Sequence, residues 1–432
     1  MLGPSNMRSM QVWVMMASQD DDVRVHFWLA GAEKNAKPAR KMTMPAYAIN
    51  NPSGYAILKF ECGGLEPGQT YVYRVSAKLA GGKLQSREGQ FHTPPLFQWR
   101  TDPPTVNLIT GSCYYANEPE YDRPGKPYGG DSSIFVPMAA EHADLMLWLG
   151  DNWYTRDVDY TTAYGLWYRP AHDRQGAVLQ PLLANTPNLA IWDDHDYGPN
   201  DYSRSYFLKQ TSREVFQSFW LNPSSGFNDQ GIFTRYQLSD IDFFLMDNRW
   251  WRSFDDLPDS INGKPNPQKA MWGKEQLEWL KDELRISKGN PFVNFRIVVT
   301  GSQVLNPVSP FDKMLDFPAE YADFMNFLRE EKIDGVLFMT GDRHHSEIIK
   351  VQPNGMYPLF DITCSPLTSG THVFGGKEAN NPYRVLGVDQ LQNYGKINVS
   401  GPRNNRVMTV EYKGVKGENL GTYTIQANAL RF

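Results

Sequence analysis

At 432 residues, 41% of them apolar, the chain is longer than one hydrophobic core normally organises, so at least two domains are the starting expectation. A formal net charge of −5 argues against nucleic acid or an anionic membrane as the main partner, because both require a basic surface. The three cysteines, Cys62, Cys113 and Cys364, are too few and too odd in number for a disulfide framework, and no run of about 18 apolar residues marks a membrane span.

Residues 7–95 read as β-rich. "MQVWVMMA", "VRVHFWLAG", "YAILKFE" and "TYVYRVSAKL" alternate or run apolar, fenced by Gly, Pro, Asn or Asp, which predicts a small β-sandwich. The acidic run from Gln19 to Val23 is expected to be a solvated hairpin turn. "GLEPGQTYVYRV" resembles the corner of fibronectin type III domains, where a tyrosine hydroxyl fastens a turn, and Tyr71 or Tyr73 is expected in that structural role. Prolines then crowd "HTPPLFQWRTDPP", predicting a stiff linker over 96–104.

From 105 to 432 the pattern changes to apolar strands alternating with helical periodicity, which predicts an α/β layer architecture. "TVNLITGSC", "ADLMLWLGDNWY", "NLAIWDDHD", "IDFFLMDNRW", "FRIVVTGSQ" and "GVLFMTGDRHH" each place apolar residues first and polar groups at the carboxyl end. "SIFVPMAAEHA" and "KEQLEWLKDELR" carry the i, i+3, i+4 spacing of covering helices. The last segment, "RVMTVEYKGVKGENLGTYTIQANAL", alternates like paired strands that complete or edge a sheet. Ligands of α/β sheets bind beyond the carboxyl ends of the strands, so six polar termini are expected to meet at one site.

Those termini hold what a two-cation phosphoester-hydrolysing centre needs: a carboxylate able to bridge, further O, N and S donors, and an imidazole for the leaving oxygen. Asp151 closes "LWLGD", and Tyr154 three residues on can return as a phenolate, a ligand suited to a hard trivalent ion. Cys113 closes "TGSC", Asp194 and His195 lie in "WDDHD", and Asp342 and His344 in "TGDRH". Taken singly, Cys113 reads as a small buried hydrophobe and His195 as a histidine hydrogen-bonded to a neighbouring aspartate. His345, adjacent to His344, is expected to point to the opposite face. His26, His92, His142, His172 and His372 lie outside the clusters.

Together, "GSC", "GDNWY", "WDDHD", "MDNR" and "TGDRHHSE", in this order behind a fibronectin-like domain, resemble the PhoD-type alkaline phosphatases, a branch of the calcineurin-like metallophosphoesterases related to purple acid phosphatases. The resemblance implies an α/β fold in which a fibronectin III-like sandwich precedes two mixed sheets flanked by helices. It implies hydrolysis of phosphate monoesters or diesters by a metal-bound hydroxide at a binuclear centre. Asp151 would bridge the metals, Cys113, Tyr154 and His344 would surround an Fe(III), and Asp194 and Asp342 would join Asp151 around a Ca(II), with zinc, manganese or magnesium as substitutes for calcium. Further candidate ligands are Asn200 and Asp193, and Gln303 or Ser302 in "TGSQ", where wider relatives supply a histidine. His195 would protonate the leaving alkoxide, and Arg249 would bind the phosphoryl group bidentately.

The expected partner is a phosphoester, either a small molecule or a phosphate-bearing polymer or lipid headgroup. A phosphodiesterase or phospholipase D-like main activity is the alternative within the enzyme class. Outside it stands a calcium-stabilised surface adhesion protein without turnover. Met1 to Ser9 lack the basic start and apolar centre of a secretory signal, whereas the resemblance implies a periplasmic or secreted protein.

Overall fold

The computed structural model describes residues 1–18, 22–79 and 82–432. Gln19 to Asp21, the core of the expected acidic turn, lie outside the described residues. The N-terminal region forms two antiparallel sheets, one of three strands (Ser9–Met16, Ala56–Gly63, Arg40–Lys41) and one of four (Lys37–Pro38, Asp22–Leu29, Thr70–Lys78, Leu84–His92). Alternate residues from both sheets, including Val12, Val25, Phe27, Phe60, Cys62, Tyr71 and Phe91, bury one another in a core of their own, as period-2 patterning requires. The Tyr71 hydroxyl accepts from the Glu66 amide at 2.9 Å, fastening the turn between strands. Tyr73 instead donates to the Ala184 carbonyl, 2.7 Å away in the following region.

The two regions do not hang on a free linker. Trp13, Met44, Ala48 and Ile57, on the outer side of the three-stranded sheet, join the large core formed by the rest of the chain. The Trp13 indole donates to Ser218 O at 2.8 Å, and half-buried Lys59 donates to Gln217 O and Trp220 O at 2.6 and 2.7 Å. The proline-rich segment is also packed: Phe97 and Trp99 meet Phe292 edge-on at 6.0 and 4.7 Å, and Arg406 donates to Pro104 O.

The large region is built on two mixed sheets. One has six strands in the order Asn188–Ile191, Leu145–Leu149, Val106–Gly111, Asn393–Ser400, Val407–Gly414, Asn419–Gln426, the first three parallel. The other has seven, in the order Thr234–Leu238, Ile241–Leu245, Phe295–Thr300, Val336–Thr340, Leu359–Thr363, Ser346–Val351, Arg384–Val388, with its second to fifth strands parallel. Each sheet therefore takes three of the six motif-bearing strands. Leu145–Leu149, Ile241–Leu245 and Val336–Thr340 are buried at every position, which is why they read as continuous apolar runs.

Helices cover the sheets. Lys274–Lys288 buries Leu277, Leu280 and Leu284, and its amino end is held by the Glu320 carboxylate, which accepts from the Met271, Trp272 and Gly273 amides at 2.7 to 3.0 Å. "SIFVPMAAEHA" yields only a short helix, Phe135–Ala140, entered through a 3-10 turn and left at His142, whose φ is 47°. The final segment forms the expected hairpin and edges the six-stranded sheet. The sheets come closest where their motif strands end: a Cβ on Gly341 would lie 2.5 Å from Leu149 O and 2.7 Å from Ser112 Cβ. That contact requires glycine, and it brings the two sets of strand ends face to face.

Candidate metal centre

Four residues at the strand ends, Cys113, Asp151, Asp342 and His344, have left-handed backbones, with φ of 61°, 51°, 67° and 56°. They are four of only thirteen such non-glycine residues in the described chain. Each costs on the order of 1–3 kcal/mol unless the surroundings over-determine it, and such residues gather at functional sites. Here each strand stops, the chain turns sharply, and the polar side chain swings off the sheet into the space between the two sheets.

The side chains meet. The Cys113 thiol donates to Asp151 Oδ2 at 3.5 Å and to Asp342 O at 3.6 Å, and the Tyr154 hydroxyl donates to the same Asp151 oxygen at 3.1 Å. Donor atoms of Asp151, Asp194 and His195 lie within 4.8 Å of one another. The His195 ring lies over Tyr154 with centroids 4.0 Å apart, and its backbone amide donates to Asp151 Oδ1 at 3.4 Å. His344 gives its Nδ1 hydrogen to Gly370 O at 2.6 Å, leaving Nε2 with its lone pair, a second contact of the kind that orients ligating histidines. Ser365 ties the two sheets' contributions together, accepting from the His344 amide at 2.9 Å and donating to Cys113 Sγ at 3.2 Å.

So much acid in so little space cannot all ionise. Burial, then the charges of Asp194, Asp193, Asp196 and Asp342, pushes Asp151 well above the usual carboxylate range. Asp342 is driven up by burial and then by Asp193, Asp194 and Asp312, with Arg343 opposing. Burial, followed by Asp151 and Asp342, raises the Cys113 thiol, and burial with Asp151 and Cys113 raises Tyr154. Asp194 runs the other way: burial opposes its charge, but His195, Arg249 and the Asp201 amide outweigh it. Burial lowers His344 to about 4, so that its imidazole is neutral near pH 7. His195 is lowered by burial first and by Arg249, Arg156 and Arg123, with Asp194 opposing.

The cluster fits metal ions on two further counts. Buried oxygens Asp193 Oδ2, Asp194 Oδ1 and Asn248 Oδ1 have no hydrogen-bond partner among the described residues, and an orphaned buried acceptor costs about 1–3 kcal/mol. The donor set also combines thiol, phenol and imidazole with carboxylates, side-chain types that transition and hard metal ions take as ligands. Asn248, in "MDNR", is a further oxygen donor not among the residues expected from the sequence. Its Nδ2 donates to Asp193 Oδ1 at 2.8 Å and to Ser302 Oγ at 3.2 Å, which leaves its oxygen free. In the same motif Asp247 accepts from the Trp192 indole and the Ile232, Arg249 and Trp250 amides, so it holds the loop.

Several expected site residues stand elsewhere or do something else. Asn200 is exposed and its amide is bonded to Asp201; the adjacent Asp201 amide reaches the site, donating to Asp194 Oδ2 at 2.8 Å. Gln303 is spent, its Nε2 on Glu347 and Thr363 at 2.8 and 3.0 Å and its Oε1 on Asn306. Ser302 Oγ accepts from Asn248 Nδ2, its one side-chain hydrogen bond among the described residues. Arg249 is buried, with Nε on Asp193 at 2.5 Å and Nη2 on Asp312 at 3.2 Å, so it neutralises carboxylates and has no free face for bidentate phosphoryl capture; only Nη1 is unpartnered. Asp193 is accordingly held as the partner of Arg249 and Asn248. His372, assigned to no cluster from the sequence, stacks on His344 at 4.6 Å. His345 points away as expected, toward Glu347 at 3.3 Å.

A family profile for PhoD-like phosphatases matches residues 111–415, more than half of the chain and the span that holds every residue of the cluster. The chain belongs to the PhoD-like phosphatase family. Alkaline phosphatase D of Bacillus subtilis (strain 168) is 25% identical over 348 residues, covering 71% of this chain and 56% of that protein. The chain thus spans little more than half the length of that curated relative. The solved structure of PhoD has a TM-score of 0.74 at 18% identity, with 100% of this chain and 90% of that one covered. Purple acid phosphatase PPD1 from yellow lupin (Lupinus luteus) seeds has a TM-score of 0.70 at 15% identity, with 98% of this chain and 73% of that one covered. These two likenesses establish a shared mixed α/β fold of several sheets.

Proposed function

We propose that the protein is a metal-dependent phosphoesterase that hydrolyses phosphate monoesters, diesters or both. One observation carries the reading: within the family-matched span, Cys113, Asp151, Tyr154, Asp194 and His195 form a single buried acid-rich cluster that lacks enough protein cations to ionise it. Asp151 would bridge two ions. Cys113, Tyr154 and His344 Nε2 would hold one, for which Fe(III) suits thiolate and phenolate donors; Asp194, Asp342 and the free oxygen of Asn248 would hold the other, for which Ca(II) suits oxygen donors. When bound, such a pair supplies Lewis acidity and a water acidified toward neutral pH.

The chain's own groups do the rest. Asp151, Cys113 and Tyr154 would have to be deprotonated to hold such ions. Ser365 and Gly370 keep Cys113 and His344 in orientation. His195, fixed against the Tyr154 ring at the edge of the cluster, is placed to hand a proton to the leaving oxygen; burial and the neighbouring arginines lower it, so this role requires the imidazolium form that Asp194 favours. Arg249 favours the ionised form of Asp194 from behind and opposes the burial that raises Asp193.

Residues 7–95 fit a fibronectin III-like domain and 105–432 a catalytic domain, joined by 96–104; the separate core and the Tyr71 turn fastening support that division. Among the described residues no helix is long and apolar enough to cross a membrane, and we retain an extracytoplasmic location as part of the proposal, to be checked by cell fractionation. The test of function is elemental analysis of protein purified without chelators, with kinetics on matched mono- and diesters. Iron plus a second ion, and turnover that a chelator abolishes, are expected. A tyrosinate-to-iron absorption band lost in Tyr154→Phe would tie the iron to that residue, whereas metal-free protein with no turnover after loading would sink the reading.

A further inference from the structure

With the phosphoryl group assigned to metal ions, selection among esters falls to the side chains that meet the organic group. We propose that Phe311 and His372 form an aromatic rim over the centre that packs against a flat, unsaturated organic group, making aryl phosphoesters the preferred substrate class. This assignment rests on the phosphoesterase reading and deepens it by naming the residues that select substrate.

Both rings are tied to residues of the centre by short contacts. His372 lays its ring over that of His344, with centroids 4.6 Å apart and planes 22° from parallel, and its amide donates to His344 O at 2.8 Å. Its carbonyl accepts from the Gln390 amide at 3.1 Å, so the backbone is held on both sides of the imidazole. The Phe311 ring follows His372 at 6.2 Å and 30°. It also lies 4.7 Å from Cζ of Arg343, the residue between Asp342 and His344 in the chain.

Asp312, the next residue, reaches the opposite half of the centre. Its carboxylate accepts from Arg249 Nη2 at 3.2 Å, and Arg249 pairs with Asp193 at 2.5 Å and with Asp194 at 3.8 Å. Arg252 adds a second contact to Asp312 at 2.8 Å. The turn before it closes on buried Ser309, whose hydroxyl accepts from the Phe311 amide at 3.3 Å. Phe311 is thereby pinned between the His344 half and the Asp194 half.

Fixed in this way, both rings still face water. Phe311 is 55% exposed and His372 is exposed, whereas Arg343, His344 and Asp194 are buried. Arg343 is itself taken by Glu378, whose two oxygens accept from Nη2 at 2.8 and 2.9 Å, so what the rim offers an incoming ester is ring surface. Aromatic rings attract one another, offset or tilted, at centroid separations of about 4.5–7 Å, the spacing at which these rings already sit. A flat organic group extends the series, and a methyl group has too little surface to do so.

The test uses metal-loaded protein and two non-hydrolysable ligands, phenylphosphonate and methylphosphonate, titrated by calorimetry. Phe311→Ala should raise the dissociation constant of phenylphosphonate about three- to tenfold, the scale of a lost ring pair, and leave that of methylphosphonate within about twofold. KM for phenyl phosphate and methyl phosphate should divide in the same way. Phe311→Tyr, which keeps the ring, should match wild type, and so should His372→Phe, because His372 presents a ring face and not a proton. Phe311→Leu keeps an apolar cover over Arg343 and should still weaken phenylphosphonate. If the wild type turns over while Phe311→Ala and Phe311→Leu keep its phenyl-to-methyl preference, or weaken both ligands alike, Phe311 is only a cover for Arg343 and the rim is overturned alone. Loaded wild type that neither turns over nor binds either phosphonate overturns it together with the phosphoesterase reading.

Discussion

Two buried acidic clusters sit a few residues apart along "GDRHHSE", and they have opposite electrostatic economies. His345, Glu347 and Glu378 also lie close enough to hold an ion. Yet Glu378 is gripped by Arg343 at 2.8 and 2.9 Å, and Glu347 by Arg384 at 2.7 Å, with Gln303, Asn306 and His345 on its other oxygen lone pairs. The result is a carboxylate lowered to about 2: burial opposes its charge, but His345, Gln303 and Arg384 prevail. Among the described residues no guanidinium pairs with Asp151; Arg249 is taken by Asp193 and Asp312, and burial and repulsion push Asp151, Asp342 and Cys113 upward. Proximity of ligand-type residues thus does not distinguish a structural network from a metal centre. Whether the protein supplies its own cations does.

The sharpest way to break this contrast is to change one carboxylate in each cluster. Asp151→Asn should reduce hydrolysis of an aryl phosphate by about 10³-fold or more, the scale of removing charge stabilisation from a transition state, and should lower metal content; full metal loading with wild-type rate would end the proposed role. Glu347→Gln should leave metal content intact and instead cost about 3–5 kcal/mol of stability, because Arg384 and His345 lose a buried partner; denaturant titration reads this. If it is Glu347→Gln that empties the metal, the clusters have been assigned the wrong way round.

Ser365→Ala probes the orientation of the centre without removing a ligand. It deletes the hydroxyl that bridges Cys113 Sγ and the His344 amide, and should weaken metal affinity by about 10- to 100-fold, measured by chelator competition. The smallest effect concerns acid. Glu347 has a folded pKa below its unfolded value, so its ionisation contributes stability that is present above about 4.3 and is lost as pH falls toward 2. That part of the acid-side loss should be missing from Glu347→Gln when denaturation midpoints are compared between pH 4.5 and pH 2.5.

The strands most visible in the sequence are those most buried in the fold. "LMLWL", "IDFFL" and "VLFMT" are covered on both faces and leave an apolar signature that no turn or exposed helix imitates. Leu84–His92 escaped notice because it is polar, with only Gly89 and Phe91 buried, and its strand state comes from pairing with Thr70–Lys78. Arg384–Val388, at the far edge of the seven-stranded sheet, is equally mute. Within the site, Cys113, Asp151, Tyr154, Asp194 and His195 could be named because each directly ends or follows an apolar run. Asn248 was visible only as a member of a motif, and His372 not at all, since its place beside His344 is set by a loop returning from another strand.

By itself the sequence determined the chemical inventory, its order along the chain and the sheet-forming segments, because burial period and strand-end polarity are local properties. Only the tertiary structure decided that three motif strands go to each sheet, that Gly341 lets the two sets of ends touch, and that Arg249 faces carboxylates. Those choices rest on contacts between residues far apart in the chain: which guanidinium meets which carboxylate is settled by packing geometry and desolvation, and neither is written in the neighbours of either residue.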